Sequence, residues 1–214
     1  MATDLIHGKP TFHYNPFGGI SDTELNNIIL PKFDLGQIAD QLRNDKQPIL
    51  QFVGKKGRGK TTHLRMLSHL LKEADLFLLN STSTIQEINQ SAKSILLIDS
   101  IHHIPLSQRI QLFKRPKAIL ITAHWSKRLE FLLAGRPHKT YYFKGIDTEK
   151  LNTILENRIA LAIDADDSFS LNPECLQQLI RKHGDHYRGI LNDLYNQFQT
   201  HYEPRKRNIR TEGY

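Results

Sequence analysis

Residues 54–62 combine glycines, basic side chains and two threonines in the order Gly-Lys-Lys-Gly-Arg-Gly-Lys-Thr-Thr. This order matches GxxxxGK[ST], a pattern of loops that bind phosphate groups. An apolar run, PILQFV, precedes it, and an amphipathic segment, HLRMLSHLLK, follows it. Because the pattern requires a buried strand before the loop and a helix after it, we predict a nucleoside triphosphate site rather than a basic turn that matches by chance.

Each residue type in this loop has a chemical task. Glycines let consecutive backbone N–H groups turn toward one anion, and the start of the following helix faces the same anion. Lys60 can neutralise the β- and γ-phosphates, and the hydroxyl of Thr61 can ligate magnesium. The predicted ligands are therefore ATP and Mg²⁺, and the loop residues predicted to bind them are Gly54, Lys55, Lys56, Gly57, Arg58, Gly59, Lys60, Thr61 and Thr62.

A second candidate lies in SILLIDS, where Asp99 follows four apolar residues at the expected end of a strand. A carboxylate at this place holds magnesium in proteins with the same loop, so Thr61 and Asp99 form the predicted metal site. The next residue, Ser100, is a poor general base without a partner. His102 and His103 follow, and either they accept a proton or orient water there, or they are surface histidines on a loop.

The surrounding elements follow from the hydrophobic pattern. Short continuous apolar runs alternate with segments of helical spacing, which is typical of a parallel sheet covered by helices on both faces. We predict an α/β fold, a three-layer P-loop NTPase sandwich with a five-stranded parallel sheet and a small all-helical subdomain after it. The predicted strands lie near residues 49–53, 76–80, 94–99, 118–122 and 140–144.

Three regions are predicted along the chain. Residues 1–145 form the nucleotide-binding α/β domain, including an N-terminal segment. From residue 146 helical spacing replaces the strand pattern, which indicates a helical subdomain over residues 146–203. Residues 204–214, with the sequence PRKRNIRTEGY, lack apolar periodicity and are predicted to be a basic flexible tail.

Composition limits the setting and the partners. The 214 residues carry a formal net charge of +7, which favours an acidic partner such as nucleotide or nucleic acid. The single cysteine, Cys175, cannot form an internal disulfide. No apolar run approaches the ~18 residues needed to cross a bilayer, so we expect a cytoplasmic protein with no membrane contact.

The order of these motifs resembles that of the AAA+ superfamily, particularly its origin-recognition, clamp-loader and transposition-regulator branches. GKKGRGKT is similar to Walker A, ILLIDS to Walker B and ILITAH to the sensor 1 strand. The resemblance implies that Thr122 or His124 positions water, although Thr122 could instead cap a helix. Trp125 is expected to pack at the domain edge. HYNPFGG resembles the segment that lies against adenine, implying contacts from Asn15, Pro16 and Phe17.

The resemblance continues in the second half of the chain. YYFKGIDTEKLNTILENRI is similar to the entry to the AAA+ lid, and HGDHYRGILNDLY to the sensor 2 helix, which implies that Arg188 lies over the phosphates. LAGRPHKTYYF occupies the place of the arginine finger that acts on a neighbouring subunit. Arg136 is the candidate finger, with Arg115 and Arg128 as alternatives, and any of them could be a solvated surface residue.

Three functions are compatible with these features. The first is an ATPase that couples MgATP binding and slow hydrolysis to lid movement and assembly with itself or a protein partner. The second is an ATP-dependent switch without useful hydrolysis, because members of the superfamily usually carry a glutamate where this chain has Ser100. The third is a DNA-associated ATPase, which the positive charge favours. The layout NPF … GRGKTTHL is also similar to that of small bacterial ATP-binding proteins.

Overall fold

The computed structural model describes residues 5–8, 10–44 and 46–201. Contacts within the chain divide it into two units. Residues 31–144 form the α/β unit, and the described residues before 31 and from 145 onward form the helical unit. The predicted tail at 204–214 lies outside the described residues.

The elements follow in chain order. The strands are β1 (Ile6–His7), β2 (Ile49–Val53), β3 (Ala74–Leu78), β4 (Ile95–Asp99), β5 (Ala118–Ala123), β6 (His138–Tyr142) and β7 (Ser170–Leu171). The α-helices are α1 (Asp22–Ile28), α2 (Leu35–Arg43), α3 (Lys60–Leu70), α4 (Ile85–Gln90), α5 (Leu106–Phe113), α6 (Arg128–Leu133), α7 (Thr148–Ala160), α8 (Pro173–His183) and α9 (Tyr187–His201). A short 3₁₀ helix spans Ile101–His103.

The α/β unit contains a five-stranded parallel sheet in the order β3-β4-β5-β2-β6. Val53, the last residue of β2, lies opposite Ala123 in β5 and Tyr142 in β6. Leu78 at the end of β3 lies opposite Asp99. The carboxyl ends of these strands therefore share one edge, as the predicted fold requires.

The sheet is covered on both faces, which confirms the three-layer prediction. Leu96, Ile98, Ile119 and Ile121 belong to one buried cluster with residues of α4, α5 and α6. Since side chains alternate along a strand, the residues between them face the opposite side, where α2 and α3 contact the sheet. That second face is also buried, as at Leu97 and Leu120.

Two predicted strand positions are shifted. β3 and β6 begin two residues earlier than predicted, at Ala74 and His138. The sequence marks only the most apolar part of each run, whereas the ladder with the neighbouring strand sets the actual bounds. Ala74 pairs with Ile95 and His138 with Ile49, so both strand starts are held by backbone pairing.

The ends of the α/β unit lie together. Lys32, the second residue of this unit, donates a hydrogen bond from Nζ to the carbonyl oxygen of Lys144, its last residue. The unit is therefore inserted between residues 30 and 145 of the helical unit, with its entry and exit side by side.

The helical unit is built around one apolar cluster to which the N-terminal segment contributes. Phe12 packs edge-to-face on Phe198 of α9, with ring centroids 4.8 Å apart, and Phe17 joins the same cluster. The N-terminal segment, which the sequence grouped with the α/β domain, thus packs with the C-terminal helices. β1 and β7 add a short antiparallel pair that was not predicted, because two-residue strands show no periodicity. None of the helices in the described part is long and apolar enough to span a membrane.

Arg158 of α7 fastens the N-terminal segment to this unit. The side chain is 5% exposed, and its Nη1 donates to the carbonyl oxygens of Pro16 and Gly18, each at 2.9 Å. Burial lowers the pKa of Arg158 to about 10, so the group remains a cation at neutral pH. Its Nε is buried without a hydrogen-bond partner among the described residues.

Replacing Arg158 with methionine should lower the free energy of unfolding by about 1.5–3 kcal/mol. Two hydrogen bonds from a charged donor are lost and two carbonyl groups lose their donor, while removal of a buried cation offsets part of the cost. Urea unfolding of the full chain, followed by circular dichroism, measures the change. Arg181→Met, at an exposed position of α8, should change stability by no more than about 0.5 kcal/mol. Equal stability of the two variants would show that Arg158 does not anchor the segment.

Candidate nucleotide site

The predicted phosphate loop joins the carboxyl end of β2 to the first turn of α3. Gly57 and Gly59 have φ of 81° and 84°, in the left-handed region that favours glycine. A Cβ on Gly54 would lie 2.4 Å from the carbonyl oxygen of Phe143, which leaves no room for a side chain. All three glycines are therefore required by the path of the backbone.

Lys60 lies across the loop that precedes it. It is the first residue of α3, is buried, and donates from Nζ to the carbonyl oxygens of Gly54 at 2.6 Å and Lys55 at 2.8 Å. The ammonium group is thus held at the mouth of the loop. A lysine at this position can meet the β- and γ-phosphates of a nucleotide.

The other loop cations differ in their surroundings. Lys55 and Lys56 are exposed. Arg58 instead donates from Nη1 to the carbonyl oxygen of Phe143 at 3.0 Å, and so braces the loop against the end of β6. Thr62 is half-buried in the first turn of α3.

Asp99 is brought to the same edge of the sheet, at the end of β4. The hydroxyl of Thr61 lies 3.1 Å from its Oδ1 and 3.0 Å from its Oδ2. A hydroxyl beside a carboxylate is the kind of oxygen donor set that Mg²⁺ accepts when phosphate and water supply its remaining ligands. The pair therefore fits a nucleotide-bound magnesium ion.

Thr122 positions Asp99 from the neighbouring strand. It is buried near the end of β5, and its hydroxyl donates to Asp99 Oδ1 at 2.6 Å and accepts from the backbone N–H of Ser100 at 2.8 Å. The alternative that Thr122 caps a helix does not fit, because the next helix begins six residues later.

Ser100 adopts φ of 58°, which is uncommon for a residue other than glycine. Its backbone is held by Thr122, and its hydroxyl lies 3.4 Å from Asp99 Oδ2. The side chain that follows the predicted magnesium ligand is thus a hydroxyl beside a carboxylate. The Ser100 side chain therefore has no carboxylate that could accept a proton from water.

Three histidines lie beside this edge. The ring of His102 lies 4.2 Å from that of His103 and 5.2 Å from that of His124, measured between centroids. Burial lowers the pKa of His102, and His103, His124 and Lys127 lower it further, while Asp99 opposes them. His102 is therefore neutral at neutral pH and able to accept a proton. The spacing of the sequence does not predict that His124 lies beside His102.

The predicted adenine-side residues belong to the helical unit. Asn15 Nδ2 donates to the carbonyl oxygen of Tyr195 and to Oε1 of Gln199, each at 3.1 Å, and its Oδ1 accepts from Phe17 N–H at 3.0 Å. Pro16 and Phe17 are buried. These contacts attach the N-terminal segment to α9. Its contact with adenine stays a prediction. Arg188, also in this unit, is exposed in the first turn of α9, and its place over phosphates stays a prediction.

Arg136 is not arranged as an arginine finger. Its guanidinium donates to the carbonyl oxygens of Phe113 at 3.2 Å and Lys117 at 2.7 Å, and also to that of Arg115. A finger must reach a neighbouring subunit, whereas this side chain closes the turn after α5. Among the alternatives Arg128 is exposed in α6, and Arg115 is half-buried.

His63 is a part of the loop structure that the sequence did not reveal. Its Nε2 accepts from the backbone N–H of Lys32 at 2.7 Å, and its Nδ1 lies 2.9 Å from the carbonyl oxygen of Gly59. Because Nε2 is an acceptor, the proton sits on Nδ1 and is donated to Gly59. The GKTTH spacing puts this histidine one turn after Gly59, but Lys32 is too distant in sequence to be predicted.

Known structures share the fold of this chain over most of its length. AMPPCP-bound DnaA from Aquifex aeolicus is 13% identical, with a TM-score of 0.54, over 82% of this chain and 63% of that chain. Cdc6p from Pyrobaculum aerophilum is 18% identical, with a TM-score of 0.55, over 85% and 66%. The Orc1 protein of Aeropyrum pernix, solved in complex with DNA, is 14% identical, with a TM-score of 0.52, over 94% and 67%.

These likenesses concern the fold, and the chain spans only about two thirds of each neighbour. No family model and no curated protein matches the sequence. The overall fold nevertheless agrees with that of the three structural neighbours, each with a TM-score above 0.5. The resemblance drawn from the motifs is thus confirmed at the level of the fold, which this chain shares with the AAA+ ATPases DnaA, Cdc6 and Orc1.

Proposed function

We propose that this chain binds MgATP at the loop of residues 54–62 and hydrolyses it slowly, coupling the bound state to lid movement and to assembly. The observation that carries the proposal is the meeting of three groups at one sheet edge. The Lys60 ammonium lies over the loop, and Thr61 and Asp99 lie within 3.1 Å of each other. The AMPPCP complex of the DnaA neighbour supports a nucleotide as the ligand.

Each of these side chains has one task in the proposed site. Lys60 stabilises negative charge on the phosphates, and Thr61 and Asp99 hold the magnesium ion. Magnesium, when bound, neutralises phosphate charge during transfer to water. Thr122 fixes the orientation of the Asp99 carboxylate through its hydrogen bond to Oδ1. The ring of His124 lies beside that of His102. Of the two residues predicted to position water, Thr122 and His124, we propose that His124 also has this role.

Slow hydrolysis follows from the position after Asp99. Ser100 cannot accept a proton at neutral pH as a carboxylate would. His102 is neutral at this pH because burial lowers its pKa, so it is the described group beside this edge best suited to that task. The rate then depends on an imidazole that no described hydrogen bond orients.

Ser100 also favours a second function, an ATP-dependent switch. A site that holds MgATP but lacks an efficient base keeps the triphosphate for long periods, and the bound state can then recruit a partner. Binding would be the same as in the ATPase, whereas turnover would be absent.

The macromolecular partner of this chain is also a proposal. The neighbours include a protein solved with DNA, and this chain carries a net charge of +7, so nucleic acid is one candidate. A second copy of the chain or another protein is the other. Arg188 would sense the phosphates from the helical unit, and Arg128 replaces Arg136 as the residue proposed to reach a neighbour.

Asp99→Asn tests the magnesium part of this proposal. Fluorescent ATP should bind the natural chain more tightly in Mg²⁺ than in EDTA, and the substitution should remove about 10- to 100-fold of affinity in Mg²⁺ only. The reason is that an amide is a weaker magnesium ligand, while the contacts of Lys60 are retained. Equilibrium titration with and without the metal measures both effects.

Asp40→Asn, at an exposed position of α2, serves as the matched control and should leave both affinities unchanged. No binding of ATP by the natural chain would overturn the proposed function. Equal magnesium dependence in Asp99→Asn and the natural chain would remove Asp99 from the site.

A further inference from the structure

His63 of α3 is a buried imidazole whose two ring nitrogens both form hydrogen bonds. The residue is only 5% exposed. Its Nδ1 donates to the carbonyl oxygen of Gly59, in the phosphate loop, over 2.9 Å, and its Nε2 accepts from the backbone N–H of Lys32 at 2.7 Å. The ring therefore joins the phosphate loop to a residue that lies 31 positions earlier in the chain.

Aromatic side chains fix the position of this imidazole. The ring of Phe143 packs edge-to-face on His63, with centroids 4.8 Å apart and planes at 90°. The ring of Phe52 also meets His63 edge-to-face, at 6.4 Å, and Phe33 packs on Phe143 at 5.2 Å. Phe52 and Phe143 are buried, so the imidazole cannot turn without displacing core side chains. The packing thus preserves the geometry of both hydrogen bonds.

The peptide group between Gly59 and Lys60 has different partners at its two ends. Its carbonyl oxygen accepts from His63 twice, from Nδ1 at 2.9 Å and from the backbone N–H at 3.1 Å. Its N–H belongs to Lys60, the first residue of α3, and the first N–H groups of a helix have no partner within the helix and face an anion bound at its start. A phosphate in the loop and the imidazole would therefore bond opposite ends of one planar group.

We propose that His63 is a positioning residue that transmits occupation of the phosphate loop to Lys32. A phosphate that accepts the Lys60 N–H polarises this peptide group, so the Gly59 carbonyl oxygen becomes a stronger acceptor for Nδ1–H of His63. Stronger donation from Nδ1 makes Nε2 a stronger acceptor for the Lys32 N–H. The three bonds strengthen together, while no proton is transferred and the tautomer of the imidazole stays the same.

The relay ends where the chain enters the α/β unit. Lys32 is the second residue of this unit, and its side chain donates to the carbonyl oxygen of Lys144, the last residue. An effect on Lys32 therefore acts at the two points where the chain continues into the helical unit. The inference rests on the proposed nucleotide site and adds the route by which its occupation reaches this segment.

Nuclear magnetic resonance of the natural chain tests the relay without any substitution. The chemical shifts of the ring nitrogens of His63 should report a protonated Nδ1 and an unprotonated Nε2, with and without AMPPCP and Mg²⁺. Saturating AMPPCP should move the Lys32 amide proton to lower field and slow its exchange with solvent about 2-fold. A ring with its proton on Nε2, or a Lys32 amide that bound AMPPCP leaves unchanged, would overturn the proposal.

Two substitutions each keep one of the two side-chain bonds. His63→Asn retains a donor near the position of Nδ1, and His63→Gln retains an acceptor near the position of Nε2. Both variants should bind AMPPCP, but neither should show the response of the Lys32 amide, because the relay needs both bonds. His69→Gln, in the last turn of the same helix, is the matched control and should keep the response. A response retained in both His63 variants would show that the nucleotide acts on Lys32 by another route.

Removing the Lys32 N–H tests the reciprocal effect, since coupling between two sites acts in both directions. Lys32→Pro lacks this donor, whereas Lys32→Ala lacks only the side-chain bond to Lys144. We expect AMPPCP to bind Lys32→Pro about 5-fold more weakly than Lys32→Ala, and the difference should vanish when both chains also carry His63→Phe. A difference that persists beside His63→Phe would come from the conformation of the proline and would contradict the relay.

The affinity for AMPPCP is measured by calorimetry in the same samples, which separates the two proposals. A natural chain that binds no AMPPCP would overturn the proposed nucleotide site and this inference with it. A natural chain that binds AMPPCP without a response at Lys32 would overturn the relay alone.

Discussion

Replacing Lys60 with alanine should lower ATP turnover by about 10²- to 10³-fold, to the level of a blank reaction that contains no protein. The ammonium is the one buried cation at the mouth of the described loop, where it bonds the carbonyl oxygens of Gly54 and Lys55. Removing it takes away the charge that would stabilise the phosphates in the transition state. Steady-state phosphate release from purified protein, over a series of protein concentrations, measures the effect.

Lys72→Ala is the matched control, because it removes a cation from an exposed position just after α3, outside the proposed site. We expect turnover within about 2-fold of the natural chain, as exposed charges contribute little. Lys60→Arg separates charge from geometry, since it keeps the cation but changes the donors. If Lys60→Ala retained full turnover, the observed hydrolysis would have to arise at another site or from another protein.

The concentration series also tests assembly. Specific turnover that rises with protein concentration would show that a second copy completes the site. Specific turnover that is constant would restrict catalysis to a single chain, and the proposed role of Arg128 toward a neighbour would then be wrong.

Ser100→Glu should raise turnover by about 10²- to 10⁴-fold if a missing general base limits the reaction. Glutamate at this position places a carboxylate directly after Asp99, where the natural hydroxyl accepts no proton. The left-handed φ of 58° is strained for either side chain, so folding is not expected to change with the substitution. Phosphate release under the same conditions measures the gain.

Ser100→Gln controls for the size of the side chain, because it fills the same space without a base. His102→Gln tests the alternative base. Loss of turnover in His102→Gln, together with no gain in Ser100→Glu, would show that the imidazole already performs this task. A gain in Ser100→Glu from a starting rate no higher than the blank would instead identify the natural chain as an ATP-dependent switch.

The loop was predictable because its parts are adjacent in sequence. Glycines, lysine and threonine at fixed spacing between an apolar run and an amphipathic run predict the P-loop, and apolar runs predict the parallel sheet. Asp99 followed from its place at a strand end. Its contact with Thr61 then follows from the fold, since the ends of parallel strands share one edge.

Contacts between distant segments were not predictable. The bond from Lys32 to His63 and the packing of Phe12 on Phe198 join residues with no pattern in common. Arg136 shows the limit of motif order, because its place in the sequence suggested a finger while three nearby carbonyl groups hold its guanidinium. Trp125 was expected to be packed and is exposed, since its burial depends on surroundings rather than on residue type.

The insertion of the α/β unit between residues 30 and 145 fixes an order of events during synthesis. Every residue of that unit has left the ribosome before β7, so β1 must wait for its partner strand while the sheet can already form. Once folded, the unit holds Lys32 beside Lys144. A loop of about 110 residues then behaves as a short one, which lowers the entropic cost of joining the two halves of the helical unit by about 3 kcal/mol. A substitution that slows folding of the sheet therefore delays folding of the helical unit as well. A substitution that slows folding of the helical unit leaves the sheet free to fold.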